Sequence, residues 1–531
     1  MPQHLQLQLQ RQHQHAVAAA ARSDQHAAEP FIPVPDRHSP LDLPPDEFRR
    51  LGHDLIERIA QHLESLPDRP ITTGDTPSAI RALIGQDPLP STGQDPGRVL
   101  EETTRLLFDH SLFNGHPRFW GYITGSPAPL GILGDVLASA VNPNVGAFVL
   151  SPVATELERQ TVRWIAELIG FPSDCGGIMV SGGNMANMVG FLAARRAKAP
   201  WDIRQLGLRN GSAQLTVYAS RETHTWIQKA TDLFGLGLDA IRWIDTDDQL
   251  RLDVAKLERA IITDRESGHA PFIVIGAAGT VSTGAIDPLG DIADVCQRQD
   301  VWFHVDGAYG APAAVLPDAP PDLKALARAD SVAVDPHKWL YAPLEAGCAL
   351  VRDPRHLVDA YSFHPAYYHF SDAGDGETPT NFHELGLQNS RGFRALKVWL
   401  GIRQAGRDGY VRMIGDDIAL AEAMYRAAEA HPELETFTLG LSIATFRYVP
   451  ADLTLTGAER EKYLNELNAA LVTRLQADGE MFVSNAVING AYVLRACIVN
   501  FRTASFDVEA VPSMVVRAGR ALVEENAVAR G

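Results

Sequence analysis

The sequence predicts an α/β fold in which a large domain with a mainly parallel β-sheet flanked by helices precedes a smaller α+β domain. Short apolar runs typical of buried strands alternate with segments whose apolar residues recur at helical spacing. The strands of the large domain are expected at residues 178–180, 215–218, 241–244, 272–275, 301–305, 332–334 and 346–351. After about Gly401, predicted helices (411–430 and 459–478) alternate with predicted strands (442–448 and 492–500), which indicates the second domain.

The N-terminal part of the chain divides into a tail and a helical segment. Residues 1–40 are rich in Gln and His and end in a proline-punctuated stretch, so we expect a disordered tail rather than a metal site. From Phe48 to Leu63, apolar residues recur at helical spacing, which predicts an amphipathic helix over residues 46–66. The expected divisions are a tail (1–40), a helical segment (41–125), a large domain (126–400) and a small C-terminal domain (401–531).

Composition and charge argue against several classes of function. The 531 residues are 45% hydrophobic and 21% charged, which suits a globular protein with a sizeable core. A formal net charge of −18 argues against a nucleic-acid-binding protein. No apolar run is long enough to span a membrane. The four cysteines have neither metal-ligand nor disulfide spacing, so we expect no metal and a reducing, cytoplasmic location.

The segment from Ser331 to Leu340, SVAVDPHKWL, places a lysine just after a predicted buried strand. Pro336 stops strand pairing, so Lys338 is expected on a turn beside an aromatic residue. Most lysines on turns are solvated surface amines. The alternative is a partly desolvated amine that forms a Schiff base with a carbonyl compound. The segment alone does not decide between the two.

An aspartate ends the strand that precedes this segment. Asp306 follows the apolar run 301–305, and Gly307 lets the chain turn away at the edge of the sheet where ligands bind in α/β folds. A carboxylate there could pair with the protonated ring nitrogen of pyridoxal phosphate (PLP). Asp-Gly alone is more often an ordinary turn. Its combination with Lys338 favours a cofactor site.

The motifs HVDGAYGA, around Asp306, and DPHKW, around Lys338, resemble those of the group II PLP-dependent amino-acid decarboxylases. This family includes the aromatic L-amino-acid, glutamate and cysteine-sulfinate decarboxylases. The similarity runs from about Leu41 to the C-terminus, with several motifs in the family's order. It implies the PLP-dependent transferase fold type I with a seven-stranded sheet, PLP as cofactor, and a homodimer with its active site at the interface. It also implies that the N-terminal helical segment packs on the partner subunit.

The resemblance assigns roles to residues that are weak signals alone. A Gly-Gly turn before a helix can hold a phosphate, because the helix N-terminus offers N–H groups and partial positive charge. His224 could be an ordinary capping or core histidine, but the family match places it over the PLP ring, where it orients the substrate carboxylate. The implied cofactor contacts are Gly182, Gly183, Asn184, His224, Thr280, Asp306, Ala308, His337 and Lys338.

The sequence leaves the substrate class open. Tyr122 and Thr124 lie in HPRFWGYITGS, which corresponds to a segment that lines the substrate pocket in the family. Asn144 lies where family members differ by substrate, and together with Asn142 it resembles the acidic-substrate decarboxylases more than the aromatic ones. We expect an L-amino-acid substrate, aromatic in the first place and acidic as the alternative.

The reaction is predicted from a histidine and a loop tyrosine. Residues 361–380 show little periodicity, and in the family a mobile loop here carries the tyrosine that protonates the substrate carbon after CO2 leaves. Tyr367 is the best match and Tyr368 a close alternative. The catalytic set Lys338, His224, Tyr367 and Asp306 favours a carboxy-lyase over PLP-dependent aldehyde synthesis or transamination. A non-catalytic binding protein with this fold is the remaining alternative.

Two further features leave their roles undecided. Asp335 stands where many family members carry asparagine, and a carboxylate there would repel a phosphate unless it is hydrogen-bonded or turned away. An arginine of the segment 388–399 could contact the substrate carboxylate or the phosphate. It could equally do no more than pair with an acid on the surface.

Overall fold

The computed structural model describes residues 39–208, 213–363 and 378–528. The chain forms two compact units, residues 1–60 with 87–102 and residues 61–86 with 103–531. Its α-helices are α1 (Pro45–Ser65), α2 (Pro77–Ile84), α3 (Pro96–His110), α4 (Pro129–Val141), α5 (Pro152–Leu168), α6 (Gly183–Lys198), α7 (Ile203–Leu206), α8 (Trp226–Leu233), α9 (Val254–Glu266), α10 (Leu289–Arg298), α11 (Arg355–Tyr361), α12 (Ala395–Glu429), α13 (Gly457–Asp478), α14 (Ser505–Glu509) and α15 (Val511–Val528). Short 3-10 helices span Leu66–Asp68, Phe148–Leu150, Leu238–Ala240, Ala311–Val315, Pro321–Arg328 and Phe382–Glu384.

The first unit contains most of α1 and the start of α3. The amphipathic helix predicted for residues 46–66 is confirmed as α1. Leu51 is buried, and a Cβ placed on Gly97 would lie 3.4 Å from it. Phe48 and Ile56, which belong to the predicted apolar stripe, are 68% and 41% exposed. Part of this stripe is therefore left exposed by the residues that the structure describes.

The second unit is organised around a seven-stranded sheet. Its strands are β1 (Gly176–Val180), β2 (Leu215–Ser220), β3 (Ile241–Ile244), β4 (Ala270–Ala277), β5 (Trp302–Asp306), β6 (Ser331–Val334) and β7 (Gly347–Val351), in the order β1-β7-β6-β5-β4-β2-β3. Strand β7 runs antiparallel to both of its neighbours, and the other pairs are parallel. The mainly parallel sheet predicted from the alternation of strands and helices is confirmed.

The sheet is buried on both faces, as parallel sheets usually are. In β4, Ile273 and Ile275 belong to one hydrophobic cluster, whereas Val274 between them belongs to the other. Successive side chains of a strand point to opposite faces, so this alternation shows that helices cover both sides. The parallel strands bring Ala277, Asp306 and Ala333 into register, so the carboxyl ends of β4, β5 and β6 meet at one edge.

The C-terminal part contains a second sheet, which is entirely antiparallel. Its strands are β8 (Leu434–Gly440), β9 (Ile443–Tyr448), β10 (Ser484–Ile488) and β11 (Ala491–Cys497), in the order β10-β11-β9-β8. Strands β9 and β11 confirm the two predicted ones, but the edge strands β8 and β10 were not expected. In β10 the buried positions include Ser484 and the exposed ones include Val487, so the sequence does not show an apolar alternation.

Candidate active site

A cavity of about 270 Å³ lies at the edge where the parallel strands end. Asp306 ends β5, His224 follows β2, and Lys338 follows β6. The chain lines the cavity with residues from all of these connections, namely Ile123, Gly182, Gly183, Asn184, Asn187, Glu222, Thr223, His224, Ala277, Gly279, Thr280, Val281, Asp306, Ala308, Tyr309, Asp335, His337 and Lys338. Ligand sites at this edge are typical of α/β sheets.

The Asp306 carboxylate is fixed by two donors. Its Oδ2 accepts a hydrogen bond from the Trp226 indole N–H at 2.8 Å, and its Oδ1 accepts the backbone N–H of Ala308 at 3.2 Å. Trp226 is fully buried at the start of α8. These two hydrogen bonds hold the Asp306 carboxylate in one orientation at the cavity.

Lys338 lies on the turn predicted for it. Its backbone N–H donates to the carbonyl of Asp335 at 2.8 Å, and the N–H of Tyr341 donates to the Lys338 carbonyl at 3.1 Å. The side chain is 19% exposed, and its Nζ lies 3.8 Å from Oδ2 of Asp335. The amine is thus neither a solvated surface group nor locked in a hydrogen bond to that carboxylate, since 3.8 Å exceeds hydrogen-bond length.

A buried carboxylate on α12 anchors this turn from the other side. Oδ2 of Asp417 accepts the Trp339 indole N–H at 2.8 Å and the Tyr341 hydroxyl at 2.7 Å. Burial is the largest influence on Asp417 and raises its pKa to about 7. Trp339 also stacks on Tyr309, with ring centroids 4.8 Å apart. The lysine turn is therefore held by residues on both sides of Lys338.

The phosphate cradle predicted at Gly182, Gly183 and Asn184 lines the same cavity, at the N-terminus of α6. A Cβ on Gly183 would come within 2.8 Å of both the Ala308 Cβ and Oδ2 of Asp335. Only glycine leaves room here for a ligand to approach the backbone N–H groups. The Gly182–Gly183 turn thus brings the N-terminus of α6 to the cavity wall, where a phosphate ester would be held.

His224, Thr280, Ala308 and His337 also line the cavity, as predicted for cofactor contacts. Nδ1 of His224 accepts the backbone N–H of Trp226 at 3.2 Å, which leaves Nε2 to carry the proton of the neutral ring. Burial lowers the pKa of His224, and this effect is larger than the opposite effect of the Asp306 charge, which raises the pKa. The Thr280 hydroxyl lies 2.9 Å from that of Thr283.

The predicted substrate residues are less clearly placed. The segment that contains Tyr122 and Thr124 lies beside the lysine turn, because the N–H of Gly125 donates to the carbonyl of His337 at 3.1 Å. In this segment Ile123 lines the cavity. Tyr122 is 61% exposed and has a left-handed backbone, with φ of 54°. The substrate roles of Tyr122 and Thr124 stay predictions.

Asn144, a further predicted substrate residue, does not line the cavity described here. Oδ1 of Asn144 accepts the backbone N–H groups of Gly146 and Arg391, at 3.1 Å and 3.0 Å, so this amide oxygen stabilises its own loop. Tyr367, together with its alternative Tyr368, lies outside the described residues. The roles of Asn144 and Tyr367 stay predictions.

The arginine-rich segment contributes a buried ion pair. Arg391 is 3% exposed, and its Nη2 lies 2.5 Å from Oε1 of Glu158. The same guanidinium donates to the carbonyls of Met179 and Val145, at 2.6 Å and 2.8 Å. Arg391 therefore ties the loop before α12 to β1 and α5. Its acidic partner Glu158 is fully buried, whereas the sequence led us to expect a surface acid or a ligand.

Sequence reasoning missed several residues that complete the site. Trp226 fixes Asp306, and its only signal is its position two residues after His224. Glu222 lines the cavity, and burial raises the pKa of its carboxyl group. Arg495, on β11, is 2% exposed and donates to the carbonyl of Tyr122 at 3.0 Å. Its Nε and Nη2 find no hydrogen-bond partner among the described residues.

The residues that converge here fit PLP. A phosphate would lie at the Gly182–Gly183 turn, Asp306 would face the ring nitrogen, and the Lys338 amine would reach the carbonyl carbon. The fit rests on the space at Gly183, the carboxylate held by Trp226 and the free amine of Lys338.

Comparisons with known proteins agree with this geometry. Residues 77–448 match the pyridoxal-dependent decarboxylase conserved domain. The chain is 34% identical to an aromatic-L-amino-acid decarboxylase of Bacillus atrophaeus, over 92% of this chain and 98% of the relative. It is 28% identical to a phenylacetaldehyde synthase of Petunia hybrida, over 86% of this chain and 91% of the relative. The crystal structure of Oryza sativa TDC with PLP and tryptamine matches with a TM-score of 0.83 and 27% identity, covering 92% of this chain and all of that one. The chain therefore belongs to the pyridoxal-dependent decarboxylase family, and it is an amino-acid decarboxylase that uses PLP.

Proposed function

We propose that this enzyme removes CO2 from an aromatic L-amino acid and releases the corresponding amine. The observation that carries the proposal is the convergence, in one cavity, of Lys338, Asp306 and the Gly182–Gly183 turn at the N-terminus of α6. The names of two relatives, an aromatic-L-amino-acid decarboxylase and a TDC bound to tryptamine, support the aromatic class.

The charges around the cavity also support an aromatic substrate over an acidic one. Three carboxylates line it, from Glu222, Asp306 and Asp335. Lys338 is the only lysine or arginine among the described residues that line it. An acidic side chain would need a cationic partner to compensate its desolvation. An uncharged ring needs none, and Ile123 and Val281 offer it apolar contacts.

The residues of this chain would act in the following way. The Lys338 amine, close to Asp335 but not hydrogen-bonded to it, would hold the cofactor at its carbonyl carbon. Asp306, held in place by donors from Trp226 and Ala308, would face the ring nitrogen of the cofactor. PLP supplies an electron sink for the charge that develops on the substrate carbon as CO2 leaves.

His224 and Tyr367 would handle the carboxylate and the proton. The neutral His224 ring, with its proton on Nε2, can donate a hydrogen bond to the substrate carboxylate and orient it. Tyr367 would deliver a proton to the substrate carbon after CO2 has left. If molecular oxygen oxidised the substrate carbon in place of this proton transfer, hydrolysis would give an aldehyde and ammonia, and the oxygen would be reduced to hydrogen peroxide. This second candidate reaction is favoured by the relationship to the phenylacetaldehyde synthase.

We also propose a cytoplasmic homodimer whose active site lies at the interface. On α4, the apolar residues Leu133, Val136 and Leu137 lie on one helical face and are 49%, 53% and 53% exposed. Exposed apolar patches of this kind typically mark protein–protein contacts. No helix in the described ranges is long and apolar enough to cross a membrane. The four cysteines are all free, as expected in a reducing compartment.

The test combines a spectrum with product analysis. The purified chain is incubated with PLP, and its visible absorbance is recorded for the wild type, Lys338→Ala, and Lys324→Ala, an exposed lysine that serves as the matched control. Each is then supplied with L-tyrosine, L-tryptophan, L-phenylalanine, L-glutamate and L-cysteine sulfinate.

An amine from one aromatic substrate, lost in Lys338→Ala and kept in Lys324→Ala, is the expected result. Amine formation from glutamate or cysteine sulfinate alone would contradict the aromatic assignment. Formation of an aldehyde together with hydrogen peroxide would show that the enzyme carries out the second candidate reaction instead of the amine-forming decarboxylation. Unchanged turnover in Lys338→Ala would contradict the catalytic role proposed for this lysine.

A further inference from the structure

The phosphate cradle contains a carboxylate of its own. Asp335 follows β6 and is 3% exposed, and its Oδ2 accepts the backbone N–H of Gly183 at 2.8 Å. Gly183 is the first residue of α6, so this N–H is one of the free donors at the helix N-terminus. The carboxylate thus occupies a donor that an N-terminal phosphate site would use.

The surroundings compensate this charge only in part. Nζ of Lys338 lies 3.8 Å from Oδ2, which is an ion-pair contact but not a hydrogen bond. Nδ1 of His337 lies 2.8 Å from Oδ1, yet that oxygen has no hydrogen bond of acceptable geometry with any described residue. Nδ1 of His337 instead accepts the backbone N–H of Ala346 at 3.3 Å. The Gly183 N–H is therefore the one well-directed hydrogen-bond donor to this carboxylate that the described residues provide.

A phosphate and this carboxylate cannot both take the same N–H without repulsion. Two anions in a partly buried site repel strongly, because the local dielectric is low. The phosphate must draw the Gly183 N–H away from Asp335, and it leaves Oδ2 with Lys338 as the remaining partner. In that arrangement the Asp335 carboxylate would attract the same Lys338 amine that must bind the cofactor.

We propose that Asp335 is an internal anion of the phosphate cradle, which competes with the cofactor phosphate for the Gly183 N–H and so lowers the affinity of the enzyme for PLP. The inference rests on the proposed position of the phosphate at Gly182 and Gly183. It assigns to Asp335 a positioning role rather than a catalytic one. An enzyme built in this way exchanges its cofactor readily, and occupancy depends on the PLP concentration.

The experiment measures binding rather than turnover. Apoenzyme is prepared from the full-length wild type and from Asp335→Asn, and the dissociation constants of PLP and of pyridoxal, which lacks the phosphate, are measured by quenching of tryptophan fluorescence. The asparagine keeps an oxygen for the Gly183 N–H, and it adds an N–H donor for the phosphate. Glu345→Gln is the matched control, because this acid lies on the same loop and pairs instead with Arg394.

We expect Asp335→Asn to bind PLP about tenfold more tightly or better, which is the value of one charge-assisted hydrogen bond, and to change pyridoxal affinity by less than twofold. Glu345→Gln should change neither. Equal or weaker PLP binding by Asp335→Asn, or an equal gain for pyridoxal, would refute the proposal. If neither ligand binds to the wild type, the position of the cofactor site itself is wrong.

A second variant guards against a folding defect in the first. Asp335→Ser removes the charge with a smaller side chain, and it should show the same preference for PLP over pyridoxal. Inorganic phosphate supplies an independent readout, since it should raise the unfolding temperature of both neutral variants more than that of the wild-type apoenzyme. Equal protection of all three proteins would contradict the competition.

Discussion

The buried pair of Arg391 and Glu158 allows a quantitative prediction. Both side chains are almost fully buried, at 1% and 0% exposure. Replacement of Arg391 by methionine removes the guanidinium that donates to Glu158 and to the Met179 and Val145 carbonyls. Among the described parts of the chain, the backbone N–H of Met179, at 3.0 Å, is then the one donor left to Glu158.

An uncompensated buried carboxylate is costly. Breaking a buried ion pair by removal of one partner typically destabilises a protein by about 3–5 kcal/mol. Arg394, three residues further along, is the matched control, because it pairs with Glu345, whose side chain is 52% exposed. Arg394→Met should cost about 0–1 kcal/mol, since exposed pairs are screened by solvent.

Urea unfolding of the full-length apoenzyme, followed by tryptophan fluorescence with refolding as a check of reversibility, measures both losses. The double variant Arg391→Met with Glu158→Leu completes the cycle and should recover most of the stability, because no buried charge is left. A loss below about 1 kcal/mol for Arg391→Met, equal to that of Arg394→Met, would refute the assignment of a structural ion pair.

Three further predictions concern the cradle, the lysine turn and the dimer. Gly183→Ala should weaken PLP binding by tenfold or more, because the new Cβ would lie 2.8 Å from the Ala308 Cβ. The control Gly392→Ala, with nothing within 4 Å of its Cβ, should bind PLP as the wild type does. Equal PLP binding by the two variants would contradict the close approach at Gly183. The pKa of Asp417 is raised to about 7 by burial, so the folded chain binds this proton more tightly than the unfolded chain, and wild-type stability should fall as the pH rises from about 4 to about 7. Asp417→Asn should show a smaller fall between urea midpoints at pH 5 and pH 8, and an unchanged fall would refute this source of the pH dependence. Val136→Glu should shift the enzyme toward monomers in sedimentation equilibrium, while the similarly exposed Val487→Glu on the small sheet should not; a dimer that withstands the change at Val136 would exclude this face as the interface.

Much of the fold could be predicted because its signals are local. The apolar runs within β4 and β5 are short, and the helical periodicity of α10 lies between them, so the alternating pattern and the parallel sheet follow from neighbouring residues. Strand β10 was missed because a serine occupies a buried position and a valine an exposed one. There, the burial is set by pairing with β11 rather than by side-chain polarity.

The sequence by itself determined where the chemistry-bearing residues lie on the chain. Asp306 ends one strand and Lys338 follows another, and carboxyl ends of parallel strands meet at one edge, so the strand pattern alone is enough to place these two residues together. The tertiary structure decided what holds them. The hydrogen bonds of Trp226 with Asp306, of Trp339 with Asp417 and of Gly183 with Asp335 join residues that are 80, 78 and 152 positions apart in the sequence. Only the packing of helices on the sheet brings these distant segments together. The local residue pattern therefore does not predict such hydrogen bonds.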